Sequence, residues 1–122
     1  MDVLLGIGGS DDSFRALERT VERARLAGDD LTIAILDNPE SDREFDEIEP
    51  RVRDVLDAEN VDADVRHLSG DPGSRLVDLA ERESFDQLVL GGGQRSPMGK
   101  IQLGGIAEFV LLNSPVTVTL VR

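Results

Sequence analysis

Five short apolar runs alternate with four helical stripes along these 122 residues, and that alternation limits the fold more than any other feature of the chain. The runs are Asp2–Ile7, Leu31–Leu36, Val61–Leu68, Gln87–Leu90 and Val116–Val121. The first is almost wholly apolar, as a strand covered on both faces must be. Between the runs, apolar residues recur at steps of three and four. Phe14, Leu17, Val21 and Ala24 mark a helix over 13–27, which Gly28 is suited to cap. Ile48, Val52, Val55 and Leu56 mark a second over 46–59, with Pro50 tolerated near its start. Asp71 and Pro72 suit the cap and first position of a third, which runs to about Glu83 and buries Leu76, Leu79 and Ala80. A fourth covers 103–113 and ends before Pro115. The order β-α-β-α-β-α-β-α-β specifies an α/β fold, one open five-stranded parallel sheet with two helices on each face. No tandem repeat, linker or low-complexity tract divides it, so residues 1–122 read as a single domain.

In such sheets ligands bind beyond the carboxyl ends of the strands, where the strand order reverses. The loops after the first strand (Gly8–Ser13) and the fourth (Gly91–Lys100) are expected to open there together. Six of the twelve glycines lie between Gly91 and Gly105. Glycine permits close backbone approach and exposes amide N–H groups, and a helix N-terminus adds its dipole. A glycine loop between a strand and a helix is therefore a ready anion site. Arg95 and Lys100 are the cations beside it. The pattern is neither Gly-x-x-x-x-Gly-Lys-Ser/Thr nor Gly-x-Gly-x-x-Gly opening directly into a helix.

Charge and composition exclude several classes. The formal net charge is −12, which opposes binding to nucleic acid or to an anionic membrane. There is no cysteine, hence no disulfide and no thiolate chemistry. No apolar run approaches the ~18 residues of a membrane span, and no secretory signal opens the chain, so a cytoplasmic location is expected. Twelve of the thirteen cations are Arg, and Asp outnumbers Glu fifteen to ten. A charge so far from zero fits a halophile's high-salt cytoplasm. Paired carboxylates carry no information in so acidic a chain. His67 is the single histidine and is given no role, and no catalytic constellation is legible.

Several motifs together resemble the universal stress protein family. Gly91, followed after Gln94 by nine residues and then Gly104, resembles that family's Gly-x-x-Gly, nine residues, Gly-Ser. Leu103-Gly-Gly-Ile-Ala-Glu108 resembles its Leu-Gly-Ser-Val-Ala-Glu. Gly70-Asp-Pro72 matches its Gly-x-Pro, and Ser114-Pro-Val-Thr-Val-Thr-Leu-Val-Arg122 its terminal strand. Val3-Leu-Leu-Gly-Ile-Gly-Gly-Ser10 stands where the family has a strand ending in Val-Asp-Gly-Ser. The resemblance spans the chain. It implies the Rossmann-like, adenine nucleotide alpha hydrolase-like form of the sheet, a stress-response role, and in some members bound ATP. Carried over here, Gly91, Gly92, Gly104, Gly105 and Ile106 would line the phosphates, with charge from Arg95 or Lys100. Gly8, Gly9 and Ile35 would border the nucleoside, and magnesium would accompany ATP. Three positions depart from the pattern: Gly8 for Asp, Gln94 for Gly, and Gly105 for Ser or Thr. These departures favour a second reading, an interaction module with a degenerate pocket.

A phospho-accepting receiver domain is a third design of this size. It needs an acidic pair after the first strand, met by Asp11 and Asp12, but also a Lys after the fifth, where the chain has only Arg122. The C-terminal strand, residues 115–121, is expected at the sheet edge. Open edges are covered or paired, and pairing with a second copy across a two-fold axis gives a homodimer. The family resemblance implies the same dimer.

Overall fold

The first strand is buried from Val3 to Ile7 because it is the middle of the sheet. A computed structural model describes residues 1–37, 45–92, 94–95, 101–102 and 104–121, with the side chains of residues 94, 95, 101 and 102 left aside. The elements in chain order are β1 (Asp2–Ile7), α1 (Asp11–Ala27), β2 (Asp30–Leu36), α2 (Phe45–Glu59), β3 (Asp64–Leu68), α3 (Pro72–Arg82), β4 (Gln87–Gly91), β5 (Gln94–Arg95), β6 (Ile101–Gln102), α4 (Gly105–Asn113) and β7 (Thr117–Val121). The main sheet has the order β3-β2-β1-β4-β7, with every pairing parallel. β5 and β6 form a separate antiparallel ribbon within the glycine-rich connection, which the sequence did not announce.

Strand alternation sorts the core into two layers. Val3, Leu5, Ile7, Ile33, Ile35 and Val89 meet the apolar stripes of α1 and α2 on one face. Leu4, Leu36, Leu68, Leu88 and Leu90 meet α3 and α4 on the other. Two helices therefore lie on each face, as expected. Leu4, Leu5, Ile7, Ile33 and Ile35 have no exposed surface. Each such burial contributes about 1.5–3 kcal/mol.

Element ends differ from the expected ones for local reasons. α1 begins at Asp11 rather than Ser13, because Ser10 is the cap and its hydroxyl accepts the Ser13 N–H at 3.2 Å. Gly28 closes it, donating its N–H to the Ala24 carbonyl at 2.9 Å. α4 begins at Gly105, because Gly104 is still extended at φ −67°, ψ 162°. Leu103, taken as its start, lies outside the described residues, as does the Asn38–Arg43 loop. Val61 and Ala63 pack on the core, yet the β3 ladder begins only at Asp64. Pro50 sits inside α2 rather than in its first turn, and its ring is exposed.

One contact fixes how α1 seats on the sheet. A Cβ built on Gly91 would lie 2.3 Å from the Asp12 carbonyl oxygen and 2.5 Å from the Ser13 nitrogen. The first turn of α1 thus rests backbone to backbone on the end of β4, and no side chain fits between them. On the opposite side of the molecule, Arg66 ties β3 to α3 by donating to Glu83, and it also donates to Asp64 at 2.8 Å. The Arg66 guanidinium holds the Glu83 carboxyl below its usual range. The Ser74 hydrogen bonds do the same for Asp71, which caps α3. Both groups are exposed, so solvent screens their effect.

Two outcomes are expected. Gly91→Ala must push α1 off β4 and should destabilise by about 1–3 kcal/mol in urea unfolding, the usual cost of overpacking. Asp71 and Glu83 have folded pKa values below their unfolded ones, so their contribution is complete above about pH 5 and is lost as pH falls through the folded values. Asp71→Ala should therefore lower the melting temperature at pH 7 and lower it less at pH 3, as read by circular dichroism.

Candidate functional site at the carboxyl edge of the sheet

The strand order reverses between β1 and β4. From β1 the chain moves through α1 to β2 on one side; β4 and β7 extend the sheet on the other. β1 and β4 are in register from Val3↔Gln87 to Gly6↔Leu90, so the loops that leave them emerge side by side. Gly8 and Gly9 thereby leave the sheet next to the strand that ends at Gly91, and Gly8, Gly9 and Gly92 are all buried. Ile35, the last residue but one of the neighbouring strand, pairs with Ile7. Its side chain points into the α1/α2 layer with no exposed surface, so only its backbone faces the edge.

The amides of these loops are not equivalent. Gly9 has φ 93°, a conformation that strains any other residue, and its N–H donates to the Ser13 hydroxyl at 3.2 Å. That hydroxyl donates onward to the Ser10 carbonyl at 2.7 Å. Gly92 donates to the Val121 carbonyl at 3.0 Å, and Gly91 is a ladder residue packed on α1. These glycines shape the switch point, and the hydrogen bonds of Gly9 and Gly92 run within the protein. Ser13, which holds the first loop closed, was not singled out from sequence; its spacing of three from Ser10 was the available signal.

All four helices start at this edge, and their N-termini differ in charge. α1 has the Ser10 cap with Asp11 and Asp12 in its first turn. α2 has Asp46 and Glu47, and α3 is capped by the Asp71 carboxylate. α4 starts from Gly104 with no side-chain cap hydrogen bond; both Gly104 and Gly105 are exposed, and Ile106 is half-buried against the α3/α4 layer. The first carboxylate along it is Glu108. All four first turns thus have a carboxylate in or beside them, and α4 differs in that Gly104 gives it no side-chain cap hydrogen bond. The Gln94 and Arg95 side chains and Lys100 lie outside the described parts of the structure.

The remaining polar groups divide into two sets. Asp12 is buried and pairs with Arg15, which removes it from the loop position that a receiver domain needs. Among the described residues, no group of three or more His, Asp or Glu is placed to hold a metal ion. Across the edge, His67 contacts Glu49 and lies over the Phe45 ring, with 4.6 Å between centroids. Arg51 covers the Phe14 ring at 3.6 Å. These contacts tie the start of α2 to β3 and to α1. No helix among the described residues is long and apolar enough to cross a membrane.

The universal stress protein family model matches residues 1–122. A stress response protein, NhaX, of Bacillus subtilis is 27% identical over 77 residues, covering 63% of this chain and 46% of the relative. The matched stretches span less than half the length of each curated relative reported for this chain. A universal stress protein structure from Archaeoglobus fulgidus superposes with a TM-score of 0.79 at 23% identity, covering 100% of this chain and 98% of that one. A universal stress protein in complex with cAMP superposes with a TM-score of 0.77 at 26% identity, covering 100% and 96%. Further structures of the same fold hold AMP and dAMP. The parallel sheet, the paired glycine loops at its switch point and the whole-chain match agree: the chain belongs to the universal stress protein family.

Proposed function

We propose that the protein is a stress-response regulatory module that binds an adenine nucleotide, ATP with magnesium or a close relative, at the β1/β4 switch point, acting by binding rather than by catalysis. The supporting observation is the start of α4. It has no side-chain cap hydrogen bond, and it stands where two glycine loops converge. The nucleotide complexes among its structural neighbours give the reading its chemistry. The phosphate would meet the N–H groups of Gly105 and Ile106, and Arg95 and Lys100 would add charge. A second reading, an interaction module with a degenerate pocket, is favoured by the inward hydrogen bonds of Gly9 and Gly92 and by the missing hydroxyl at Gly105. Each lost hydrogen bond to a charged group weakens binding by about 1.5–3 kcal/mol, or roughly tenfold or more.

We further propose a cytoplasmic homodimer joined along β7. β7 ends the sheet order, and among the described residues nothing pairs with its outer edge. α4 beside it is apolar apart from Glu108 and Asn113, with Leu112 76% and Leu111 42% exposed. A helix of that character is ordinarily buried. The halophile reading of the composition belongs with this proposal, because high salt screens the self-repulsion of a −12 chain as copies associate.

Equilibrium dialysis with labelled ATP, AMP and cAMP, in high salt with magnesium, should show saturable binding. Gly105→Ser should tighten it about tenfold. No saturable binding at millimolar nucleotide returns the second reading. Light scattering should give the mass of two chains, and Leu112→Glu should reduce it to one. A wild-type mass of one chain sinks the dimer.

A further inference from the structure

Ser13 touches both strand ends of the switch point. Its backbone nitrogen lies in the close approach of α1 to β4, 2.5 Å from where a Cβ on Gly91 would stand. Its side chain is buried, the residue being 3% exposed. The hydroxyl accepts the Gly9 N–H at 3.2 Å and donates to the Ser10 carbonyl at 2.7 Å. One residue of α1 thus meets the end of β4 through its backbone and the loop after β1 through its side chain.

The helix does not need that hydroxyl. α1 is capped by Ser10, whose own hydroxyl takes the Ser13 N–H. In the usual reciprocal cap, the side chain at the third helical position returns to the N–H of the cap residue itself. Ser13 stands at that position but reaches one residue further back, to Gly9, which precedes the cap. Alanine at 13 would leave the Ser10 cap in place and has the higher helix propensity. The Ser13 hydroxyl therefore acts on the loop rather than on the helix.

The loop has reason to need it. Gly8 and Gly9 are adjacent, and Gly9 sits at φ 93°. Two successive glycines let the peptide between them turn either way, and fixing it costs conformational entropy. The bond from Gly9 to Ser13 settles the choice, with the N–H facing α1. The peptide is trans, so the Gly8 carbonyl is turned the opposite way. α1 and α4 pack on opposite faces of the sheet. The carbonyl is therefore turned away from α1 and towards the side on which α4 starts. A carbonyl there is an acceptor. It suits a hydroxyl or amino donor of a nucleoside and does not suit phosphate.

We propose that Ser13 is a positioning residue for the nucleoside half of a bound nucleotide. Its hydroxyl holds the Gly8–Gly9 peptide so that the carbonyl meets a nucleoside donor, while the phosphates lie apart at the start of α4. The buried Ser13 side chain does not itself touch the ligand. The proposal rests on the nucleotide reading given above.

Isothermal titration calorimetry with ATP and magnesium in high salt, below the melting temperature of every variant, tests it. Ser13→Ala should weaken ATP binding about tenfold. Ser10→Ala removes the cap hydroxyl but keeps the Gly9–Ser13 bond. It should lower the melting temperature yet cost less ATP affinity than Ser13→Ala does. A merely structural role would make affinity follow melting temperature across the two variants. If Ser13→Ala fails to fold, Ser13→Cys carries the test, because a thiol is a weak acceptor, and it should show a smaller loss of the same sign. Unchanged or tighter ATP binding in the folded Ser13 variant, or affinities that follow melting temperature, overturns the proposal and leaves the nucleotide reading standing. No saturable binding by the wild-type protein overturns both.

Discussion

The contact between Gly91 and the first turn of α1 is the one on which the functional edge depends. It is a backbone-to-backbone approach, closed to any side chain at 2.3 Å. It sets the height of α1 above the sheet at the point where β1 and β4 diverge. The Ser10–Ser13–Gly9 hydrogen bonds then pin the first loop to the same turn. The shape of the switch point follows from these few atoms, and the glycine at 91 is explained by packing before any ligand is considered.

That explanation redistributes the work of the glycines. A glycine-rich loop suggests many amides turned towards phosphate, but Gly9 and Gly92 spend theirs within the protein, and Gly91 serves the helix. What is left for an anion is concentrated at the start of α4. The other three helix starts at this edge carry Asp11 and Asp12, Asp46 and Glu47, or Asp71. Carboxylates at those dipole ends stabilise the helices and repel other anions. The Gly104–Gly105 turn differs in having no side-chain cap hydrogen bond, with Glu108 the carboxylate of its first turn.

Much of the fold was legible in the sequence because its signals are local and redundant. The near-continuous apolar run of β1 reports a central strand, and the Asp71–Pro72 start and the Gly28 stop report helix ends through backbone chemistry. The ends that shifted were decided by single residues: the Ser10 cap started α1 two residues before Ser13, and the extended Gly104 delayed α4. The candidate site was legible as a place but not as a set of roles. The packing of Gly91 on Asp12, and the inward side chain of Ile35, depend on which elements are neighbours in space.

The central position of β1 also sets an order of assembly. Val3 pairs with Leu31 on one side and with Gln87 on the other. The first pairing closes a short stretch of chain, while the second waits for most of the sequence to be made and carries the larger loop-closure entropy. During synthesis β1 therefore acquires β2 early and keeps its other edge bare until β4 emerges. β7, the last strand made, then covers β4 in its turn. The apolar strand at the heart of the finished sheet is the one left longest half-exposed while the chain is being translated.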